Sequence, residues 1–271
     1  MFYTLPRKAF SLVELSIVLV ILGLLVGGIL AGRSLVRAAE LRSVTTEYQR
    51  WIVASQAFRD KYFGLPGDIT NATTIWGRQS NSTGGCPSTS GATINANGAC
   101  DGNGNGQIDY NLAYLTTGGE MHQFWRQLAL AGLIEGNYTG NPGGVDGRRV
   151  LIGLNAPTSR FSSAGWGAIW LGERSGDATF FNGAYGNTLH FGKETATQTP
   201  RDQVLRVEEA WNIDTKIDDA SPAQGKLVVI VYNDSCAINS NGTPAVSTSV
   251  GAVYNVSNAE ITCALVFRNV F

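Results

Sequence analysis

Arg7-Lys8-Ala9-Phe10-Ser11-Leu12-Val13-Glu14-Leu15 leads into LSIVLVILGLLVGGILAG, residues 15–32, a run without a single charge. As an α-helix rising about 1.5 Å per residue, the run covers about 27 Å, or about 34 Å counted from Phe10, enough to cross the hydrocarbon core of a bilayer. A secretory signal peptide has its small-residue cleavage site after the apolar run. Here the small residue, Ala9, stands before it, so the span is expected to remain in the mature chain. Glu14 breaks the pattern. A charge within the membrane costs about 2.5–3.5 kcal/mol on insertion scales, so an acid at the head of the span calls for a partner or for the interface.

Beyond the span the helical pattern continues. Leu41, Val44, Tyr48, Trp51, Ser55, Phe58 and Tyr62 recur at alternating threes and fours and form an apolar seam, with Arg33, Arg37, Glu40 and Glu47 largely off it. The spacing predicts one helix over residues 10–63, membrane-spanning over 10–32, which stops at Gly64-Leu65-Pro66-Gly67 because neither Pro nor Gly continues a helix cheaply. Gly23, Gly27, Gly28 and Gly32 within the span read as a small face for close helix packing.

The remaining chain, residues 64–271, reads as a globular extracytoplasmic head. Of 271 residues 15% are charged and the formal net charge is −1, a balance that indicates no nucleic-acid partner. Glycine crowds the chain after residue 80 together with Asn, Ser and Thr, the composition of a turn-rich domain. Cys86, Cys100, Cys236 and Cys263 all lie beyond the span. An even number on one side of a membrane points to two disulfides in an oxidising compartment; three pairings are open, and proximity favours Cys86–Cys100 and Cys236–Cys263.

Residues 64–119 read as mostly irregular, followed by a helix with Phe124, Leu128 and Ala131 on one face and Gly132 as its stop. Strands are expected at 149–154, 165–172, 179–181, 188–191, 226–232 and 261–267. Thr199-Pro200-Arg201-Asp202 has the form of a helix start, with Thr199 as the cap of a helix running to about residue 218. The expected class is α+β: a long N-terminal helix packed on a mainly antiparallel β head with additional helices.

One stretch has the pattern of a cation loop. In Asp101-Gly102-Asn103-Gly104-Asn105-Gly106-Gln107-Ile108-Asp109, oxygen side chains alternate, a Gly falls at the sixth position and an acid at the ninth. The stretch resembles the first nine residues of an EF-hand loop, with Asp101, Asn103, Asn105, Gln107 and Asp109 as candidate Ca²⁺ ligands in a structural site. The twelfth position is Leu112 rather than Glu, so the shell would need a remote acid, Glu120 being the nearest; otherwise the loop is an Asn/Gly turn cluster. No enzyme motif accompanies it. The two histidines, His122 and His190, lack the neighbours of a catalytic site, and His122 reads as a helix-surface residue. The acids and Lys216 of Trp211-Asn212-Ile213-Asp214-Thr215-Lys216-Ile217-Asp218-Asp219 read as a solvated helix end.

At its N-terminus the chain resembles the type IV pilin and pseudopilin superfamily. The residues that carry the likeness are the basic leader Arg7-Lys8, the small Ala9 where the family usually has Gly, then Phe10 and the acid Glu14 as the fifth residue of an apolar helix. The resemblance implies a leader over 1–9, cleavage between Ala9 and Phe10 by a prepilin peptidase that also N-methylates Phe10, and assembly through Phe10 and Glu14 with copies of itself or other pilins. It also implies residence in a bacterial inner membrane, then delivery through a pilus or secretion assembly platform into an extracellular or periplasmic filament. Family members commonly close a C-terminal loop with a disulfide, as the Cys236–Cys263 pair would. The function this implies is that of a structural filament subunit; a type II secretion pseudopilin and a membrane-anchored adhesin, for which exposed Trp and Tyr in the loops would be the handles, are the alternatives. Intact-mass analysis of the native protein should find a mature chain beginning at N-methyl-Phe10; retention of Met1, or a cut beyond residue 30, contradicts that processing.

Overall fold

Why one helix can serve two environments is visible in its burial. A computed structural model describes residues 11–79, 86, 94–95, 97–110, 119–142, 147–231 and 236–271. Ala9 and Phe10 lie outside them. Helix α1, Leu12–Tyr62, is a single 51-residue helix, about 77 Å long at 1.5 Å per residue. From Leu12 to Val36 its large apolar side chains are all exposed. Val44, Tyr48, Trp51, Ala54, Ser55 and Phe58 are buried in the head. The helix ends where Phe63 takes a left-handed conformation and donates its N–H to the Arg59 carbonyl.

The head is built around a four-stranded antiparallel sheet in the order β3, β6, β12, β8, formed by Gly165–Trp170, Asn187–Gly192, Leu265–Phe267 and Leu227–Val229. Short pairs surround it: β1 (Arg78–Gln79) parallel with β2 (Ile94–Asn95), β4 (Glu173–Arg174) with β5 (Gly183–Ala184), β7 (Leu205–Arg206) with β11 (Ile261–Cys263), and β9 (Ala237–Ile238) with β10 (Val253–Tyr254). Among the described residues the further helices are α2 (Ala72–Trp76), α3 (Glu120–Leu130) and α4 (Val207–Ile217). The arrangement is α+β, a long helix packed on a mainly antiparallel head.

The seam of α1 meets this core through rings. Tyr48 stacks on Phe267 with centroids 4.2 Å apart, and Trp51 stands edge-on to Trp125 at 5.3 Å and to Trp166 at 6.5 Å. Between Val44 and Tyr48 the same face carries Glu47, which is buried. Its carboxylate accepts from Ser159 Oγ at 2.7 Å, the Arg160 N–H at 2.8 Å and Trp166 Nε1 at 2.7 Å. Glu47 therefore belongs to the seam, contrary to its sequence reading as a residue off it.

Several expected elements fold differently, for local reasons. Residues 149–154 are not a strand: the chain turns over 151–155, because Asn155 Oδ1 takes the Leu151 N–H and the Leu151 carbonyl takes the N–H groups of Leu154 and Asn155. Residues 179–181 are not a strand either: Asp177 Oδ1 caps the Thr179 N–H, and Phe180 and Phe181 turn individually into the core. Thr199 does not start a helix. Its hydroxyl is bonded to His190 Nδ1 at 2.6 Å, Asp202 bridges to Lys193, and α4 begins only at Val207. The last expected strand is divided into β11 and β12 around Ala264.

His122 is fully buried rather than on the helix surface, with Nε2 at 3.0 Å from the Gly147 carbonyl, because α3 is covered from Glu120 to Leu128. A buried helix with polar side chains has to use them. Gln127 accepts from the Gly67 N–H and donates to the Cys100 carbonyl; Gln123 accepts from the Cys100 N–H and donates to the carbonyl of Gly140; Arg126 donates to the carbonyls of Gly98 and Tyr138. The backbone of irregular loops is thereby satisfied by one helix.

Removing the Glu47 carboxylate orphans three donors, two of them on fixed groups, at about 1–3 kcal/mol for each donor left buried. Glu47→Leu should therefore lower the melting temperature of the detergent-solubilised chain strongly, and Glu47→Gln, which keeps one acceptor oxygen, should lower it less; equal and negligible shifts would show that the carboxylate does not anchor α1.

Candidate functional site

Three groups of residues carry the polar chemistry around α1 and the expected sites: the head of α1, its junction with the globular part, and the loop over residues 101–109. At the first, Ser11 caps the helix. Its hydroxyl accepts the Val13 N–H at 3.2 Å, while Glu14 Oε2 reaches back to the Ser11 N–H at 2.9 Å. This reciprocal arrangement is a capping box, and Ser11-Leu12-Val13-Glu14 has its sequence form, Ser-x-x-Glu. Glu14 Oε1 takes no hydrogen bond from the described residues. The acid thus has a local partner for one oxygen and presents the other at the start of a fully exposed apolar cylinder.

At the junction, the guanidinium of Arg37 grips Glu209 of α4 with two bonds, Nε to Oε1 at 2.6 Å and a terminal nitrogen to Oε2 at 2.7 Å. The same group reaches Glu40 at 3.0 Å and lies over the Phe161 ring, 4.2 Å from its centroid. The bond to Glu209 is the main cause of a raised Arg37 pKa. The clamp stands one residue beyond the exposed apolar stretch, so it marks where α1 passes from the bare segment to the head.

The 101–109 loop brings some of its expected ligands together and turns one away. Asp101 faces α2, where Oδ1 accepts the Thr73 N–H at 2.7 Å and Oδ2 the Thr73 hydroxyl at 2.8 Å. Gln107 enters through its backbone N–H, donated to Asn105 Oδ1. Asn103 and Asn105 both donate side-chain N–H groups to Asp109 Oδ2, at 3.2 and 2.9 Å. Glu120 is where the remote acid was expected: Oε1 accepts the Asn103 N–H at 2.8 Å and Oε2 the Asp109 N–H at 2.9 Å.

The residue at the middle of the loop is one the sequence reading passed over, Asp68. It accepts the N–H groups of Gly104, Asn105 and Gly106 at 2.7, 3.1 and 2.8 Å. Gly102 permits this wrapping, since a Cβ there would lie 2.3 Å from Asp68 Cα. The loop is closed on the protein's own acids by inward N–H groups, which is the polarity of an anion cradle. To serve as a calcium ligand, Asp101 would have to leave Thr73. Among the head's cysteines, Cys86 is bonded to Cys100 beside this loop and Cys236 to Cys263 near the C-terminus.

The described α1 contains one segment long and apolar enough to cross a membrane, none of it buried inside the head. An apolar helix headed by an acid thus continues into a disulfide-bonded α+β head. Residues 5–30 match the prokaryotic N-terminal methylation motif, so the chain carries the N-terminal processing motif of type IV pilins and pseudopilins. No curated protein and no solved structure matches the chain.

Burial is the main cause that pushes the Glu120 carboxyl up to about 7, with the charges of Asp68 and Asp109 adding to it and the two N–H donors opposing. The folded chain then holds this proton up to about pH 7, whereas the unfolded chain releases it near 4.5. Unfolding releases a proton in that window, so stability contributed here falls as pH rises through it. The stability of wild type relative to Glu120→Gln should decline from pH 4.5 to 7 and level off above; a difference independent of pH would mean that Glu120 titrates normally.

Proposed function

We propose that the chain is a structural subunit of a type IV pilus-like filament, released from its leader by prepilin peptidase and assembled through α1. The observation that carries this reading is the division of α1: a bare apolar half headed by Glu14, and a second half sealed into the core of the head by its ring contacts and Glu47. An apolar cylinder of this kind is at home in lipid first and among other such helices later, and only the head has to face water.

Glu14 gives the assembly its register. Cleavage after Ala9 creates an amine at Phe10, four residues before Glu14 and next to the Ser11 N–H that Glu14 already accepts. One carboxylate oxygen serves the capping box, and the other is left for the amine of a neighbouring subunit displaced along the axis. Within a bundle of apolar helices an unpaired carboxylate is strongly disfavoured, so the pair rewards one stagger and penalises others, a registry device more than a source of net stability. An uncleaved chain lacks the amine and does not assemble. A type II secretion pseudopilin would use the same chemistry and differ in where its filament forms, while an adhesin would bind glycans or surfaces through the isolated head.

Glu14→Gln and Glu14→Leu separate cap from charge. Gln keeps an acceptor for the Ser11 N–H and loses the charge; Leu loses both yet enters the membrane at least as well as wild type. Both variants should reach wild-type membrane levels and yield few or no filaments in the native host. Normal assembly by both would refute the pairing.

A further inference from the structure

The end of α4 gathers three acids. One carboxylate oxygen each from Asp214, Asp218 and Asp219 lies within 4.8 Å of the others. Each carboxylate is oriented by the protein through one oxygen. Asp214 Oδ2 accepts from the Tyr254 hydroxyl at 2.9 Å, Asp218 Oδ2 accepts the N–H groups of Lys226 and Leu227, and Asp219 Oδ1 accepts the Ser221 N–H at 2.9 Å. No Lys or Arg forms an ion pair with any of them among the described residues.

Asp214 differs from an ordinary surface acid in being wholly buried, with an Oδ1 that has no hydrogen-bond partner. Burial is the main cause that pushes the carboxyl up to about 7, with the Tyr254 hydroxyl and the Ala220 N–H opposing and the charges of Asp219 and Asp218 adding to it. A buried oxygen left bare beside two further carboxylates is costly unless something positive satisfies it. The last carbonyls of a helix add to the negative potential at the same point. Gly225 has φ +74°, and a Cβ on it would fall on Asp218 Oδ2 and 2.9 Å from Asp219 Oδ2, so only glycine lets the turn into β8 pack against these carboxylates.

We propose that Asp214, Asp218 and Asp219 bind a divalent cation of the calcium class, which fastens the C-terminal end of α4 to the 218–227 turn. The donor set is all oxygen, which selects hard cations over zinc or copper. The spacing agrees with calcium: at metal–oxygen distances of about 2.3–2.6 Å, oxygens on opposite sides of one ion lie about 5 Å apart, and neighbouring ones closer. Bound there, the ion would join α4, the turn into β8 and, through Tyr254, the hairpin of β9 and β10 enclosed by the Cys236–Cys263 disulfide. This site is separate from the 101–109 loop and does not depend on the filament reading.

The test uses the full-length chain in detergent, stripped with chelator and titrated with calcium alone. Calcium should raise the melting temperature by several degrees, since it binds only the folded state, and terbium in its place should luminesce when tyrosine is excited. Asp219→Asn, at an exposed position, should weaken calcium binding at least tenfold without loss of folding, and Asp214→Asn with Asp219→Asn should abolish the shift. Asp109→Asn, in the other loop, should leave it intact. The proposal is overturned by a wild-type melting temperature indifferent to calcium, by an undiminished shift in Asp219→Asn, or by a shift lost in Asp109→Asn alone.

Discussion

Glu47 is held inside the seam of α1 by three donors that come from the segment entering β3 and from β3 itself: Ser159, Arg160 and Trp166. A long amphipathic helix laid against a core by apolar contacts alone could slide by one turn, because Val44, Tyr48, Trp51 and Phe58 repeat along it and rings tolerate exchange of neighbours. A buried carboxylate does not tolerate this. Shifted by a turn, it would leave its three donors unsatisfied and itself desolvated, and the cost of both fixes the helix in one register. Everything placed relative to α1 inherits that register, including the Arg37 clamp on α4 and the length of apolar helix that projects from the head.

The second organising element, α3, solves a different problem. A head with this much glycine and asparagine cannot satisfy its backbone through strands, and the described strands are mostly two or three residues long. Gln123, Arg126 and Gln127 instead donate to and accept from loop backbone on several sides, as a ladder would. The Cys86–Cys100 bond lies in the same layer, since Cys100 is gripped on both its N–H and its carbonyl by that helix. Rigidity in this head comes from side-chain amides and a cross-link more than from sheet.

The long helix was legible because its information is local: a charge-free run, then a seam of threes and fours. The N-terminal motif was legible for the same reason, although Ser11-Leu12-Val13-Glu14 also spelled a capping box whose second meaning went unread beside the membrane question. What could not be read were partners distant in the chain. Glu47 finds its donors 112 to 119 residues later, and in sequence it is an acid like those that face solvent. Asp68 is 36 residues before the first loop N–H it accepts, so the alternation of oxygens after Asp101 suggested a shell that the fold closes with another acid. Thr199 had the right neighbours for a cap, and lost that role to a buried histidine nine residues earlier. Asp214 read as solvated because helix ends usually are; Tyr254, 40 residues on, covers it.

The absence of any break in α1 has a mechanical side. Phe63 is the first residue after Leu12 to leave helical geometry, and no proline interrupts the rod. A pull on the bare half is therefore delivered to the head along the helix axis, with no joint to swing about. The Arg37–Glu209 bonds, the Glu47 donors and the stacked rings then take the load together, as in shear, instead of one after another as in peeling. A head mounted this way yields only when many modest contacts fail at once.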